Sequence, residues 1–280
     1  MANARTESAG NLYVVATPIG NLSDLSARAR EVLGMVDLVA AEDTRRAGKL
    51  MQHLGLDRRL VSLHEHNEQE QVARLVSELG QGRSIALISD AGTPLISDPG
   101  LRLVATAQAT GIDVVSIPGP SAVTAALSIS GLATDRFAFE GFLPRKRQRR
   151  RDRLETLRTE PRTLVFFESV HRISATFEDL VAVFGAERRA ALARELTKLH
   201  EQLMAGSIGD IAAALGTEVP LLGEFVIVVA GADSEPMAGD EEILRVYRLL
   251  AEALPPSRAA ALCAKITGRP RSEIYALTRK

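Results

Sequence analysis

The residues with the clearest chemical potential form one segment, SDAGTPLISDPG, from Ser89 to Gly100. Gly92 and Gly100 permit positive φ or close backbone approach, while Pro94 and Pro99 stiffen the chain. Asp90, Thr93, Ser97 and Asp98 supply polar groups, so the loop has the makings of a ligand cradle. The plainer alternative is a tight strand-to-helix connection with Asp98 as the helix cap. That much turn chemistry exceeds what a connection needs, which favours the cradle. A second loop, IPGPSA at Ile117–Ala122, leaves room at Gly119, Ser121 and Ala122 for a flat ring against the backbone. A Pro-started, Ser-capped helix explains the same residues.

Four polar clusters fall near the ends of predicted strands: AEDTRR (Ala41–Arg46), HEHNE (His64–Glu68), FFESVHR (Phe166–Arg172) and ARELTKLHE (Ala193–Glu201). Each alone is compatible with a salt-bridged surface; their shared location favours function. The loop after the first strand, TPIGN at Thr17–Asn21, lacks the GxGxxG fingerprint of a dinucleotide site. GxxxxGK[ST] and GxSxG motifs are missing as well. One cysteine, Cys263, precludes an intrachain disulfide, and five histidines without ligand spacing give no basis for a metal site.

The elements that must position these groups alternate. Strands are predicted at Leu12–Thr17, Met35–Asp43, Leu60–His66, Ser84–Asp90 and Asp113–Pro118. Helices are predicted between them, from about Asp24 to Gly34 (with Gly34 as the stop), Arg46–Leu54, Asn67–Leu79 and Leu101–Ala109, with Ser121–Ser130 after the last strand. Such alternation specifies a mostly parallel sheet with helices on both faces and ligands at the strands' carboxyl ends. The pattern pauses at Phe137–Pro144 and resumes with strands at Thr163–Ser169, Arg189–Glu195 and Glu224–Gly231 and helices at Ile173–Phe184 and Ile208–Leu215. This makes a second α/β domain. A Gly/Ser/Pro linker (Ala232–Gly239) leads to three helices at about Glu241–Leu254, Ser257–Thr267 and Ser272–Leu277, the last two in a helix-turn-helix-like spacing. The expected units are an N-terminal α/β domain at 11–118, a C-terminal α/β domain at 119–232 and a helical extension at 240–280.

The 280 residues are 46% hydrophobic and 25% charged, which suits a protein with a sizeable core. No stretch approaches a membrane span, and the polar Met1–Asn11 segment has no apolar signal region. With a single cysteine, this points to the cytoplasm. Net charge is −1, yet Arg145, Lys146, Arg147, Arg149, Arg150, Arg151 and Arg153 form one dense basic run. Such a run can contact several phosphates; a solvated, mobile surface segment is the other reading.

Taken in order, ATPIGNLSDL, AEDTRRAGKL, HEHNE, ISDAGTPLISDPG, IPGPSA, FFESVHR and ARELTKLHE resemble one family. It is the ribosomal RNA small subunit methyltransferase I family, the 2′-O-ribose cytidine methyltransferases of the tetrapyrrole methylase superfamily. The resemblance covers about Leu12 to Gly231, and the helical tail looks like the family's C-terminal extension. It implies two α/β domains of tetrapyrrole-methylase type with S-adenosylmethionine in the inter-domain cleft, and a homodimer. It also implies methylation of a cytidine 2′-oxygen in the decoding region of 16S rRNA, with naked rRNA or the small ribosomal subunit as partner. Carried onto this chain, the cofactor residues are Pro18, Ile19 and Gly20; Asp90, Ala91, Gly92, Thr93, Pro94 and Ile96; Pro120, Ser121 and Ala122; and Phe167. The first loop departs from the glycine-rich form of many superfamily members, as in the ribosomal branch.

Methyl transfer from a sulfonium needs in-line placement of the acceptor oxygen, and the hydroxyl must lose its proton. Glu42, Asp43, His64, Glu168, Glu195 and Lys198 are the candidates for that work. Carboxylates beside Lys198 would orient it but raise its pKa, making it a poorer base. Arg45 joins Arg145, Lys146, Arg147, Arg149, Arg150 and Arg151 as an RNA-binding candidate. Two rival readings are a tetrapyrrole or corrinoid precursor C-methyltransferase and a non-enzymatic ribosome-binding protein. The basic run, the tail and the first loop speak against the former.

Overall fold

The computed structural model describes residues 10–64, 66–232 and 240–278. The polar N-terminus up to residue 9 and the linker at 233–239 lie outside the described residues. Short apolar runs form β1 (Leu12–Val15), β2 (Leu38–Ala41), β3 (Arg59–Ser62), β4 (Ile85–Ile88) and β5 (Val114–Ile117), joined by α1 (Ala27–Met35), α2 (Thr44–Leu54), α3 (Glu68–Gly80) and α4 (Leu101–Ala109). The strands pair in parallel in the order β3-β2-β4-β1-β5. All four residues of β4 are buried because side chains of a central strand meet helices on both faces. Ala86 and Ile88 face α1 and α2 through Val32, Leu33 and Met51, while Ile85 and Leu87 face α3 and α4 through Leu75, Leu79 and Leu103.

β1 and β4 are adjacent, but their connections leave in opposite directions, β1 toward β2 and β4 toward β5. This is a topological switch point, where the loops diverge and open a crevice at the carboxyl edge.

The second sheet contains β6 (Phe137–Phe142), β7 (Thr163–Ser169), β8 (Arg189–Arg194), β9 (Gln202–Ser207) and β10 (Glu224–Val229) in the order β6-β7-β10-β8-β9. One face packs on α6 (Arg147–Leu157), α7 (Ile173–Phe184) and α8 (Ile208–Ala214). The other face receives α5 (Ala122–Ile129), and Ile19 of the first sheet's loop joins the same apolar cluster.

Five features depart from the sequence expectation. Phe137–Phe142 is a strand, disguised by a bulge at Phe139/Gly141 with Gly141 at φ 65°. The basic run is no loose surface segment: from Arg147 it is helical, anchored by buried Leu154 and Leu157. The second sheet is mixed, since only β6–β7 is parallel, and β10 enters antiparallel between β7 and β8. β9 was unforeseen because an edge strand of alternating half-exposed residues carries little apolar signal. Gly34 does not stop α1, which Ser26 caps and which runs on to Met35.

The tail comprises α9 (Asp240–Ala251), α10 (Pro256–Thr267) and α11 (Arg271–Thr278) around its own small core of Ile243, Ala260, Cys263 and Ile274. Gly268 turns the chain between α10 and α11 at φ 68°. Among the described residues no helix is long and apolar enough to cross a membrane, and no group of side chains could hold a metal ion.

Candidate functional site

A cavity of about 450 Å³ lies where the carboxyl edge of the first sheet meets the second sheet. Its floor is the switch point itself. Thr17 N donates to Gly92 O at 2.9 Å and Gly92 N to Thr17 O at 3.0 Å, clamping the loops after β1 and β4 together. Gly92 holds φ 81°, and a Cβ there would meet Ile19 Cγ2 at 3.3 Å. The Thr93 hydroxyl donates to Pro120 O at 3.1 Å, which ties in the loop after β5. Ile19, Asp90, Ala91, Thr93, Ile96, Ser121 and Ala122 line the cavity as expected.

Phe167, also expected, closes it from the second sheet, with Phe139 and Phe142 packed edge-on at 4.8 and 5.7 Å between ring centroids. Gly223, Glu224, Phe225 and Val226 complete this wall, together with Phe142 and Ser169. Sequence reading missed them because β10 runs antiparallel. Its start, Glu224–Val226, pairs with Ser169–Phe167 at the end of β7 and so lies at the ligand edge. The rule that ligands gather at strand carboxyl ends does not point to the start of a strand. Arg46, Ser97 and Asp98 also line the cavity; the sequence reading placed Ser97 and Asp98 among the polar groups of the loop and Arg46 in the AEDTRR cluster, without naming them as cofactor residues. Arg46 Nη1 stands 3.3 Å from Asp90 Oδ2.

Four expected cofactor residues lie off the cavity surface. Gly20 serves the inter-sheet packing, since a Cβ there would collide with Lys198 Cγ and meet Leu196 O at 3.0 Å. Pro18 lines a smaller neighbouring cavity. Pro94 is buried, and Pro120 contributes its carbonyl to Thr93. Among the described residues, the non-glycine residues with positive φ are Leu95 (72°), Ser97 (68°), Glu195 (51°) and Thr197 (65°). Each costs roughly 1–2 kcal/mol. All four occupy the two turns that border the crevice, where strain of this kind marks functional geometry.

The six candidate acid–base residues separate clearly. Glu42 lines the cavity. Asp43 caps α2, accepting from Arg45 N at 2.8 Å and from the Arg45 side chain, whose hydrogen bonds hold its carboxyl far below the usual range. It is a structural carboxylate. His64 packs beside His66, away from the cavity lining. Glu168 reaches the lining but is saturated: it accepts from Ser169 N (2.7 Å), Thr176 Oγ1 (2.7 Å) and Arg172 (2.6 Å). Lys198 Nζ donates to Glu195 at 2.7 Å and to Glu224 at 3.0 Å. Burial opposes its charge, but these two hydrogen bonds outweigh it and hold the pKa above the ordinary lysine value. Glu195 is lowered in return, chiefly by Lys198. The pair is therefore an ammonium and a carboxylate that brace Glu224 at the cavity wall, and neither is a ready base.

The basic run is corrected most sharply. Asp179 on α7 is fully buried and accepts from Arg147 (3.2 Å), Arg150 (2.8 Å) and Arg151 (2.6 Å). Arg150 is itself buried and cannot reach RNA, because its guanidinium is consumed within the fold. Arg151 keeps partial exposure, whereas Arg145, Lys146, Arg147 and Arg149 are exposed, Arg147 despite its bond to Asp179. Arg45 is 87% exposed but chelates Asp43.

The chain resembles known proteins over nearly its whole length. The family model for Tetrapyrrole (Corrin/Porphyrin) Methylases matches residues 11–212, and that for the RsmI C-terminal HTH domain matches 237–280. A ribosomal RNA small subunit methyltransferase I from Xylella fastidiosa (strain Temecula1) is 52% identical over 95% of this chain and 98% of its own. One from Escherichia coli O157:H7 is 49% identical over 96% and 94%. A uroporphyrin-III C-methyl transferase from Thermus thermophilus, solved with S-adenyl homocysteine, shares the fold at TM-score 0.56 and 18% identity, covering 79% of this chain and 97% of that one. The chain belongs to the tetrapyrrole methylase family, in its ribosomal RNA small subunit methyltransferase I branch.

Proposed function

We propose that this protein transfers the methyl group of S-adenosylmethionine to the 2′-hydroxyl of a cytidine in the decoding region of 16S rRNA. The observation that carries this reading is the cavity at the switch point, with Gly92 lying against Ile19 and opposite Phe167. The volume of about 450 Å³ suits a nucleoside-sized ligand. Ile19, Ile96, Ala122, Phe167 and Val226 supply apolar walls for a purine ring, and Gly92, without a Cβ, leaves room for a ligand against the loop. When bound, the cofactor supplies an electrophilic methyl on a positively charged sulfur. The chain's own part is to position the ribose hydroxyl, exclude water and receive a proton.

Exposed Arg145, Lys146 and Arg149 at the start of α6 offer the sequence-independent phosphate contacts such a substrate needs. The units 11–118, 119–232 and 240–280 would act as cofactor floor, cofactor lid and RNA-binding extension. A homodimer is supported by exposed Leu199, Leu221 and Leu222, which Arg194 draws together through bonds to Leu222 O (2.6 Å) and His200 O (3.2 Å). A cytoplasmic location belongs to the same proposal, since an rRNA acceptor is met there.

The test is transfer of labelled methyl to small ribosomal subunits, naked 16S rRNA and a corrinoid precursor in parallel, followed by mapping of 2′-O-methyl sites. Label on a cytidine ribose supports the reading. Label only on the corrinoid overturns it in favour of a small-molecule methylase, and cofactor binding without transfer leaves a ribosome-binding protein.

A further inference from the structure

Most of the candidates considered so far are tied up, and Glu42, which lines the cavity, is itself engaged. Lys198 is held as an ammonium, and the oxygens of Glu168 and Asp43 are occupied by donors. Asp90 accepts from Asp43 N at 3.0 Å and pairs with Arg46, so its carboxylate serves to join β4 to α2. Asp98 differs from all of these. It lines the cavity, half-buried, on the stretch of loop that turns away from the floor.

The backbone around it is set at a cost. Leu95 and Ser97 both hold left-handed φ, at 72° and 68°, and Gly100 follows at 120°. Two contacts pin this stretch. A Cβ on Gly141 of β6 would meet Ser97 Oγ at 3.1 Å, so the second sheet presses on it. Glu68 Oε1 of α3 accepts from Gly100 N and Arg102 N, both at 3.2 Å, which fixes the start of α4. Asp98 therefore has no capping duty: α4 begins at Gly100 with no side-chain cap. A carboxylate that caps no helix and is hydrogen-bonded to the Ser89 hydroxyl, on strained backbone, lines the cavity.

We propose that Asp98 is the general base of the methyl transfer, a role that rests on the function proposed above. The acceptor hydroxyl gives its proton to an Asp98 carboxylate oxygen as its oxygen bonds to the methyl carbon of the sulfonium donor. The carbon–sulfur electron pair returns to sulfur, leaving a neutral thioether, and Asp98 later loses the proton to solvent. The groups around it suit this work. Burial raises its pKa above the usual aspartate value, the Ser89 hydroxyl moderates that, and Asp90 adds to it. Glu42 and Arg46 from the β2–α2 side and Glu168 and Glu224 from the second sheet line the same cavity. A base with a raised pKa accepts a proton more readily.

Asp98→Asn tests it, with three readouts on the full-length protein. Single-turnover transfer to small subunits should fall a hundredfold or more, the usual scale for an acid–base group, and the acidic limb of the wild-type pH–rate profile should vanish. Cofactor affinity by calorimetry should stay within about twofold. Thermal stability provides the reading independent of activity. A carboxylate with a raised folded pKa stabilises most below its unfolded value of 3.8 and loses that contribution as pH rises through the folded value. The asparagine variant should thus melt higher than wild type at pH 7, and the gap should close toward pH 4. Near-normal transfer by the variant overturns the assignment, as does a matching loss of cofactor affinity, which would make Asp98 a cofactor ligand. If wild type itself methylates no rRNA, the proposed function fails first and takes the base with it; if wild type transfers and the variant equals it, only the base assignment fails.

Discussion

Replacing Asp179 with alanine should strongly destabilise the second sheet's helical layer. Asp179 has no exposed surface and Arg150 only 4% of its side chain. Their bond is 2.8 Å, and Arg150 Nη2 also donates to Ala175 O at 3.3 Å. Burial works against the Asp179 charge, but Arg151, Arg150 and Arg147 outweigh it and hold the pKa below the ordinary aspartate value. Removing the carboxylate strands a buried guanidinium, which costs about 3–5 kcal/mol. At about 2–4 °C per kcal/mol for a chain of this size class, the melting temperature falls by about 6–20 °C. Asp179→Asn keeps an acceptor oxygen and should lose less. The sign of the pH effect follows from the lowered pKa: the contribution is complete above the unfolded value of 3.8 and disappears as pH falls through the folded one. Wild type and Asp179→Ala should therefore converge only below about pH 4. Paired with Arg150→Met, an Asp179→Leu change should recover most of the loss, because a packed apolar pair replaces the ion pair. Urea denaturation at pH 7 is the assay. A loss under about 1 kcal/mol for Asp179→Ala would refute the claim that these arginines serve the fold before they serve RNA.

Three further outcomes are expected. Arg145→Ser, Lys146→Ser and Arg149→Ser together should weaken rRNA binding and flatten its salt dependence by roughly 0.7–0.9 per lost phosphate contact, with cofactor affinity and melting temperature unchanged; filter binding across a salt series reads this directly. Gly92→Val should abolish S-adenosylmethionine binding in a folded protein, since a branched side chain at φ 81° would press on Ile19 and enter the cavity; wild-type affinity by calorimetry would remove the loop from the site. Lys198→Ala should free Glu224 and slow single-turnover transfer while leaving the shape of the pH–rate profile intact, because an ammonium held above its usual pKa accepts no proton near neutrality. A vanished pH limb in that variant would make Lys198 the base and Asp98 a bystander.

Much of this protein follows from local pattern. The alternation of apolar runs and amphipathic stretches suffices for β1 to β5 and α1 to α4, because each strand is a short apolar run bounded by turn residues. The Ser89–Gly100 loop announces itself through glycine, proline and aspartate chemistry that no ordinary connection requires. The seven ordered motifs, taken together, point to one family. What escaped local reading depends on pairing at long range. Nothing in Glu224–Val226 says that β10 runs antiparallel to β7 and so brings its start to the cavity. Nor does the Arg145–Arg153 run reveal that Asp179, on the next helix, buries Arg150 and occupies Arg147 and Arg151. Sequence shows Glu195 beside Lys198 but not Glu224, whose approach across the sheet adds a second carboxylate to hold the ammonium. Composition and spacing determine which elements form and which loops carry chemistry, since those depend on neighbours along the chain. Which charges remain free to act is decided by the tertiary structure, because desolvation and pairing are set by groups that the sequence keeps far apart.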